Sequence, residues 1–137
     1  MKVLIVEDDA LNRKLYCDVL NLSGFETVSS ADGLDAVELA ERHRPDAIIM
    51  DMRLPHRSGL EITQMIKTKP HLAEIPVIAV SGFYAAEHRK KCLEGGFDEY
   101  LPKPVSIWEL TKIVCRLVGT PAPQATQAAL SSLPVRP

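Results

Sequence analysis

Short apolar runs recur along the chain, and each of them ends abruptly at polar residues. Residues 3–6, 47–50 and 77–80 are continuously apolar and rich in β-branched side chains, which is typical of strands buried on both faces. Residues 25–29 and 97–101 are weaker runs of the same kind. The pattern therefore predicts five strands.

Between the strands the apolar period lengthens to that of a helix. The first helix, over residues 10–22, is predicted to bury Leu11, Leu15, Val19 and Leu22 and to end at Gly24. The second is predicted to begin at Asp32 or Gly33 and to stop before Pro45. The predicted core positions of the third and fifth helices are Leu60, Ile62, Met65 and Ile66, and then Ile107, Leu110, Ile113, Val114 and Leu117. The fourth, over residues 85–93, is polar and only weakly amphipathic.

Five strands that alternate with five helices predict an α/β fold, a doubly wound parallel sheet with helices on both faces. Among the common open orders we favour the flavodoxin-like (βα)5 arrangement, strand order 2-1-3-4-5, because no glycine-rich turn follows the first strand.

The domain is expected to span residues 1–118. Residues 119–137 contain four of the ten prolines and one charged side chain, Arg136, and are interpreted as a disordered Pro/Ala-rich tail or linker. The sequence leaves open whether the chain is a whole protein or a fragment of a longer one.

Composition restricts the partners and the compartment. The chain has 137 residues, 46% of them hydrophobic, and a net charge of −2, so we expect no direct nucleic acid binding. Three cysteines without a CxxC pair indicate a reducing compartment, with a cysteine metal site as the less favoured alternative. The first apolar run ends at Glu7, too early for a signal peptide or membrane span. A cytoplasmic protein without membrane contact is predicted.

Polar residues with complementary chemistry follow the buried strands. Glu7 and Asp8 follow the first strand, Asp51 the third, Ser81 the fourth and Lys103 the fifth. In the predicted strand order these side chains converge at one edge of the sheet, where ligands of such folds bind.

Three converging carboxylates need a cation between them, and their oxygens suit Mg²⁺. A carboxylate that attacks phosphorus forms an acyl phosphate. We therefore predict Asp51 as the nucleophile for a phosphoryl group, with Lys103 stabilising the transferring oxygens and Ser81 donating a hydrogen bond. Asp9 is interpreted as the cap of the first helix.

Together these motifs resemble the receiver domain of two-component response regulators over about residues 2–118. The resemblance rests on Glu7-Asp8, Asp51 with Pro55 and Gly59, Ser81-Gly82 and Lys103-Pro104. Within the family the chain most resembles single-domain, cell-division-control receivers of the DivK type. The segments that support this are Val6-Glu7-Asp8-Asp9-Ala10-Leu11-Asn12, His71-Leu72-Ala73-Glu74-Ile75-Pro76 and Glu94-Gly95-Gly96.

The resemblance implies a phosphoprotein of a phosphorelay, in which Asp51 accepts a phosphoryl group from a histidine kinase or a phosphotransfer protein. It implies Mg²⁺ held by Asp8, Asp51 and the backbone carbonyl of Arg53, with Glu7 acting through water. It also implies a cis Lys103-Pro104 peptide. Serine at position 81 and glycine at position 82 depart from the threonine and alanine that are more frequent in the family, but the hydroxyl is retained.

Phosphorylation is expected to switch binding to a downstream protein target. The resemblance pairs Ser81 with Tyr100, the aromatic residue that turns inward in the switch. Phe83, Tyr84, Tyr100 and Trp108 are the candidate partner contacts. Trp108 is predicted to lie off the core face of the last helix, with Cys115 as a free thiol on the same outer side. A further hypothesis is that Arg53 and Phe83 shield the acyl phosphate from water.

Two other function classes fit the residues less well. A phosphatase of the haloacid dehalogenase type also forms an aspartyl phosphate, but it needs a second acid where Arg53 stands and leaves Glu7-Asp8 unexplained. A nucleotide-binding protein would need a glycine-rich phosphate loop, and the sequence has none. We therefore expect a binding module and not an enzyme. It is either a whole signalling protein or a receiver fragment of a longer regulator with a missing output domain.

Overall fold

Five strands and five helices alternate along the chain in a computed structural model that describes residues 1–82 and 86–121. The elements are β1 (Lys2–Val6), α1 (Ala10–Leu22), β2 (Glu26–Ser30), α2 (Ala36–His43), β3 (Ala47–Asp51), α3 (Gly59–Lys67), β4 (Val77–Ser81), α4 (Ala86–Glu94), β5 (Glu99–Pro102) and α5 (Ile107–Val118).

The strands form one parallel sheet in the order β2-β1-β3-β4-β5, which confirms the predicted fold class. The register pairs Val6 with Met50 and Asp51 with Val80, so the carboxyl ends of β1, β3 and β4 lie side by side. β1, β3 and β4 are buried almost throughout, as their continuous apolar sequences predict.

The two faces of the sheet carry two separate cores, because successive side chains of a strand point to opposite faces. Leu4 and Ile48 pack in the core that α2, α3 and α4 cover. Ile5 and Ile49, the next residues along, pack in the core that α1 and α5 cover. The sheet is thus doubly wound, with both faces closed by helices.

The buried face of α1 differs from the prediction. Tyr16, Val19 and Leu20 are its buried residues, whereas Leu11 and Leu22 are 62% and 54% exposed. The three buried residues have the i, i+3, i+4 spacing of one helical face, which meets the sheet. Leu11 and Leu22 lie on a different face, in the first and last turns of the helix. The prediction for these leucines was wrong.

The last helix is also rotated relative to the prediction. Cys115 is buried in the core and not on the outer side, because the buried arc of α5 runs from Leu110 and Val114 on to Thr111 and Cys115. The half-buried Trp108 lies next to this arc on the helical wheel. In α3, Met65 is 40% exposed, and the buried residues are Gly59, Ile62, Thr63 and Ile66.

Capping side chains mark the first residues of α1, α3 and α5. Asp9, Ser58 and Ser106 each accept a backbone N–H of the first turn of α1, α3 and α5; for Asp9 this confirms the prediction. α2 begins at Ala36 and not at Asp32 or Gly33. Gly33 has a φ of 82°, a left-handed conformation that no α-helix accommodates.

Several predictions fall on residues that the structure does not describe. Phe83, Tyr84, the start of the fourth helix at Ala85 and the tail beyond residue 121 all lie outside the described residues. Within residues 1–82 and 86–121, no helix combines the length and apolar character needed to cross a membrane. Cys17, Cys92 and Cys115 are all free thiols.

Candidate functional site

The polar residues predicted at the strand ends meet at one edge of the sheet. Asp51 is the last residue of β3, and Glu7 and Asp8 directly follow β1. One carboxylate oxygen from each of the three lies within 4.8 Å of the other two. Glu7 and Asp51 are 1% and 2% exposed, whereas Asp8 is exposed. The site is therefore a carboxylate cluster with two buried members and one member open to solvent.

Lys103 supplies the positive charge of this cluster. Its Nζ lies 3.1 Å from Oδ2 of Asp51, to which it donates a hydrogen bond, and 3.4 Å from Oε1 of Glu7. The backbone N–H of Lys103 donates to the carbonyl oxygen of Ser81 at 2.7 Å, which ties the β5–α5 loop to the end of β4. The Lys103-Pro104 peptide is cis, in agreement with the expectation from the resemblance.

The loop after Asp51 is folded tightly against the end of β3. The backbone N–H of Arg53 donates to Oδ1 of Asp51 at 3.1 Å, and the N–H of Gly59 donates to the carbonyl of Met52 at 3.1 Å. A Cβ at Gly59 would lie 2.2 Å from the carbonyl oxygen of Asp51. Only glycine permits this approach, which holds the first turn of α3 directly beneath the Asp51 backbone.

Arg13 holds the loop that carries Glu7 and Asp8. Its guanidinium donates to the carbonyl oxygen of Glu7 at 2.9 Å and to that of Asp8 at 3.4 Å. Oε2 of Glu7 accepts the backbone N–H of Asp9 at 3.1 Å. Arg13 was not among the residues predicted from the sequence, although its position one turn after the acidic triplet could have indicated a helix residue that reaches back to the loop.

The cluster shifts the protonation equilibria of its members. Burial, together with the hydrogen bond to Asp51, raises the pKa of Glu7 from 4.5 to about 8. Burial opposes the charge on Lys103, but the carboxylates of Asp51 and Glu7 outweigh it and raise the pKa of this ammonium. Burial likewise opposes the charge on Asp8, yet hydrogen bonding with Asp51 and Glu7 lowers its pKa. Among the described residues, the cluster thus combines three acid groups with one lysine in ion-pair contact.

His88 connects Ser81 with Tyr100, the two residues predicted to form a switch. Nε2 of His88 lies 3.2 Å from Oγ of Ser81, and the His88 and Tyr100 rings meet edge-to-face at 74° with centroids 5.9 Å apart. Nε2 also lies 3.7 Å from Sγ of the buried Cys92. His88 was not among the residues predicted from the sequence. Its one signal there is Cys92, four residues later, since residues with this spacing lie on one face of a helix.

Trp108, the predicted partner contact on α5, is half-buried. The ammonium of Lys112, one turn later, lies 5.8 Å from the centre of its ring, within the range of a cation–π contact. The ring is therefore covered in part by its own helix. Its role as a partner contact remains a prediction.

The chemistry that this edge can support follows from the side chains present. A carboxylate with an adjacent ammonium can act as a nucleophile toward an electrophilic phosphorus, since the cation stabilises charge on the transferring oxygens. The carboxylate oxygens of Glu7, Asp8 and Asp51 are the hard ligands that Mg²⁺ prefers. Their spacing within 4.8 Å fits one ion.

Comparison with known proteins identifies the family. Residues 3–115 match the family model of the response regulator receiver domain. The polar-differentiation response regulator DivK of Brucella anthropi is 46% identical over 117 residues, which are 85% of this chain and 95% of that protein. The protein of the same name from Brucella ovis is 45% identical over the same shares of the two chains.

Solved structures agree with this assignment. The receiver domain of a sensor histidine kinase from Pseudomonas aeruginosa, crystallised with a magnesium ion in its active site cleft, has a TM-score of 0.79 and 36% identity, covering 87% of this chain and 98% of that one. The receiver domain of the Francisella response regulator 1452 has a TM-score of 0.81 and 29% identity, with coverage of 86% and 96%.

These comparisons give no support to the haloacid dehalogenase alternative. The matched region contains the sheet from Val3 onward, together with Glu7, Asp8, Asp51 and Lys103. The chain belongs to the response regulator receiver domain family of two-component signalling proteins.

Proposed function

We propose that Asp51 accepts a phosphoryl group from a histidine kinase or a phosphotransfer protein, and that the resulting acyl phosphate switches binding to a downstream protein. The observation that carries the proposal is the geometry of Asp51 itself. Its buried carboxylate lies 3.1 Å from the Lys103 ammonium and shares an edge of the sheet with Glu7 and Asp8. The proposal holds equally for a chain that acts alone and for a receiver within a longer regulator.

Mg²⁺ is the proposed cofactor. Asp8, Asp51 and the backbone carbonyl of Arg53 would hold it, with Glu7 acting through water. The donor set supports this, because three carboxylate oxygens lie within 4.8 Å of one another and one lysine offsets only part of their charge. When bound, the ion shields the carboxylate and the incoming phosphoryl group from mutual repulsion.

Transfer is a displacement at phosphorus. An oxygen of Asp51 forms the new O–P bond while the bond to the donor, a phosphohistidine nitrogen or the acyl oxygen of acetyl phosphate, breaks and the donor keeps the electron pair. Lys103 stabilises the charge on the phosphoryl oxygens, and Ser81 donates a hydrogen bond to one of them. These three residues are the proposed catalytic set within the domain.

The output is a change of binding surface. Phosphorylation biases an existing equilibrium between two conformations, which we place in Ser81, Tyr100 and the face formed by α4, β5 and α5. Tyr100, Trp108 and the undescribed Phe83 and Tyr84 are the proposed contacts on that face. The domain is proposed as a signalling module and not as an enzyme that turns over a substrate of its own.

Intact-mass spectrometry tests the proposal. The protein is incubated with Mg²⁺ and acetyl phosphate or phosphoramidate, alongside the variants Asp51→Asn and Asp18→Asn. Asp18 is an exposed acid on α1 that pairs with Lys14 and serves as the matched control. We expect one phosphate-sized mass gain in the wild type and in Asp18→Asn, and none in Asp51→Asn. No gain with either donor, or an equal gain in Asp51→Asn, would contradict it.

A further inference from the structure

A single imidazole contacts both residues of the proposed switch. His88 lies on α4, and its Nε2 is within hydrogen-bond distance of Oγ of Ser81 at 3.2 Å. The edge of one ring meets the face of the other where His88 packs against Tyr100, which is 8% exposed on β5. One side chain of α4 therefore links the end of β4 to the middle of β5.

The strand order places His88 and the phosphorylation site on opposite sides of β4. β4 lies between β3, which carries Asp51, and β5, which carries Tyr100. Ser81 ends β4, and its hydroxyl meets a histidine that packs against the β5 side. A phosphoryl group on Asp51 would lie on the β3 side of β4. The Ser81 hydroxyl must therefore turn away from His88 to reach it.

The position of the imidazole is itself fixed. Cys92, one turn further along α4, is 1% exposed, and its Sγ lies 3.7 Å from the same Nε2. Burial raises the pKa of this thiol, so it keeps its proton. The buried thiol and the Tyr100 ring hold the imidazole from two sides, and the Ser81 hydroxyl meets a nitrogen that is already in place.

We propose that His88 is a positioning residue that latches the Ser81 hydroxyl in the unphosphorylated state, so that phosphorylation of Asp51 must break the Ser81–His88 contact and thereby releases α4. This deepens the proposed function and rests on it. The latch holds Ser81 and α4, which is part of the proposed binding face of α4, β5 and α5, in one arrangement. A phosphoryl group at Asp51 competes with His88 for the Ser81 hydroxyl. The contact between Oγ of Ser81 and Nε2 of His88 thus couples the phosphorylation site to this binding face.

The histidine ring nitrogens give a direct readout of the latch. The chain has four histidines, and a long-range ¹H–¹⁵N spectrum resolves their imidazoles. In EDTA, Ser81→Ala should shift the ring nitrogens of His88 and leave those of His43 and His71 in place. Phosphorylation of the wild-type protein with Mg²⁺ and acetyl phosphate should then shift the His88 signals toward the positions that they have in Ser81→Ala. Unchanged His88 signals in the first comparison, or in the second when the protein has gained phosphate, would overturn the latch.

This spectrum separates the two proposals. If intact mass shows no phosphate gain, the proposed function fails, while the comparison of wild type with Ser81→Ala in EDTA still tests the Ser81–His88 contact. If the mass gain occurs and the His88 signals do not move, phosphorylation stands and the latch is wrong.

Kinetics of phosphorylation supply a second test. His88→Leu removes the hydrogen bond, so the rate with acetyl phosphate should rise by about threefold or more as the competent fraction grows. His88→Gln, whose amide can restore the bond, should return toward wild type, and Arg89→Leu, an exposed neighbour on α4, is the matched control. In a Ser81→Ala background His88→Leu should have no effect. Equal acceleration in that background, or none in wild type, would overturn the proposal.

Discussion

Lys103 and Asp51 are 52 residues apart in the chain, and their side chains join across the intervening strand β4 at 3.1 Å. The lysine follows β5 and the aspartate ends β3, so the contact exists only when the strand order is correct. It places a cation beside the proposed nucleophile and draws Glu7 into the same network at 3.4 Å.

Removing that cation should slow phosphorylation without loss of the fold. Lys103→Met is expected to lower the rate with acetyl phosphate on the order of 10²-fold, because the charge that develops on the phosphoryl oxygens loses its stabilising partner. Mg²⁺ binding should strengthen, since a competing positive charge has gone. Intact-mass time courses and metal titration measure the two effects.

Lys69→Met is the control for that experiment. Lys69 pairs with Glu41 at 2.8 Å on the surface, where both side chains are well exposed. Its replacement by methionine should change neither the phosphorylation rate nor the Mg²⁺ affinity. Weaker Mg²⁺ binding in Lys103→Met would show that the lysine organises the site instead of competing for it.

Glu7 should make the metal-free protein less stable as pH rises. Its pKa is about 8 in the folded protein and 4.5 ordinarily. Between these values the unfolded chain releases a proton that the folded protein keeps, so the free energy of unfolding falls with rising pH. Glu7→Gln removes this titration. In EDTA, the melting temperature of Glu7→Gln should exceed that of wild type by several degrees more near pH 8.5 than near pH 5.5; a gap independent of pH would contradict the account.

Gly59 and Gly82 should respond very differently to alanine. At Gly59 the new Cβ would lie 2.2 Å from the backbone oxygen of Asp51, while at Gly82 no atom of the described residues lies within 4 Å. Gly59→Ala is expected to cost about 3 kcal/mol, and Gly82→Ala to stay within about 1 kcal/mol of wild type. Urea unfolding monitored by circular dichroism measures both. Similar midpoints for the two variants would argue against the close packing of α3 beneath Asp51.

Lys67 should contribute to stability and its neighbour Lys69 should not. The Lys67 ammonium donates to the carbonyl oxygens of Ala73 and Ile75, at 3.1 Å and 2.6 Å, and to Asp98 at 3.3 Å. Lys67→Met removes the donor to the Ala73 and Ile75 carbonyls, at a cost of about 1–3 kcal/mol, while Asp98 keeps the Val77 N–H at 2.8 Å. Lys69→Met removes only an exposed ion pair, worth about 1 kcal/mol or less. Equal unfolding midpoints for the two variants would contradict this assignment.

The strand-end site could be predicted because its determinants are local and repeated. Each strand is a short apolar run that ends at a polar residue. A parallel sheet brings those ends to one edge, independently of the conformation of the loops. Strand order then decides which ends are neighbours. Glu7, Asp51 and Lys103 could therefore be placed together from the sequence alone.

The helix faces were harder to predict, because an apolar period shows that a helix has a buried side but not where the sheet meets it. Leu11 belongs to an apolar stripe on α1 and is nonetheless exposed. Cys115 is buried because the buried arc of α5 is wider than its aliphatic residues indicate. His88 could not be foreseen, since its contacts with Ser81 and Tyr100 depend on how α4 packs against β5.

The central claim is that the phosphoryl group is attached to Asp51, and locating that bond tests it most directly. Borohydride reduces an acyl phosphate of aspartate to homoserine, which survives proteolysis and is read by tandem mass spectrometry. After treatment with Mg²⁺, acetyl phosphate and borohydride, we predict homoserine at position 51 and aspartate retained at positions 8 and 9. Homoserine at position 8 or 9, or aspartate retained at position 51 in protein that has gained phosphate, would contradict the account.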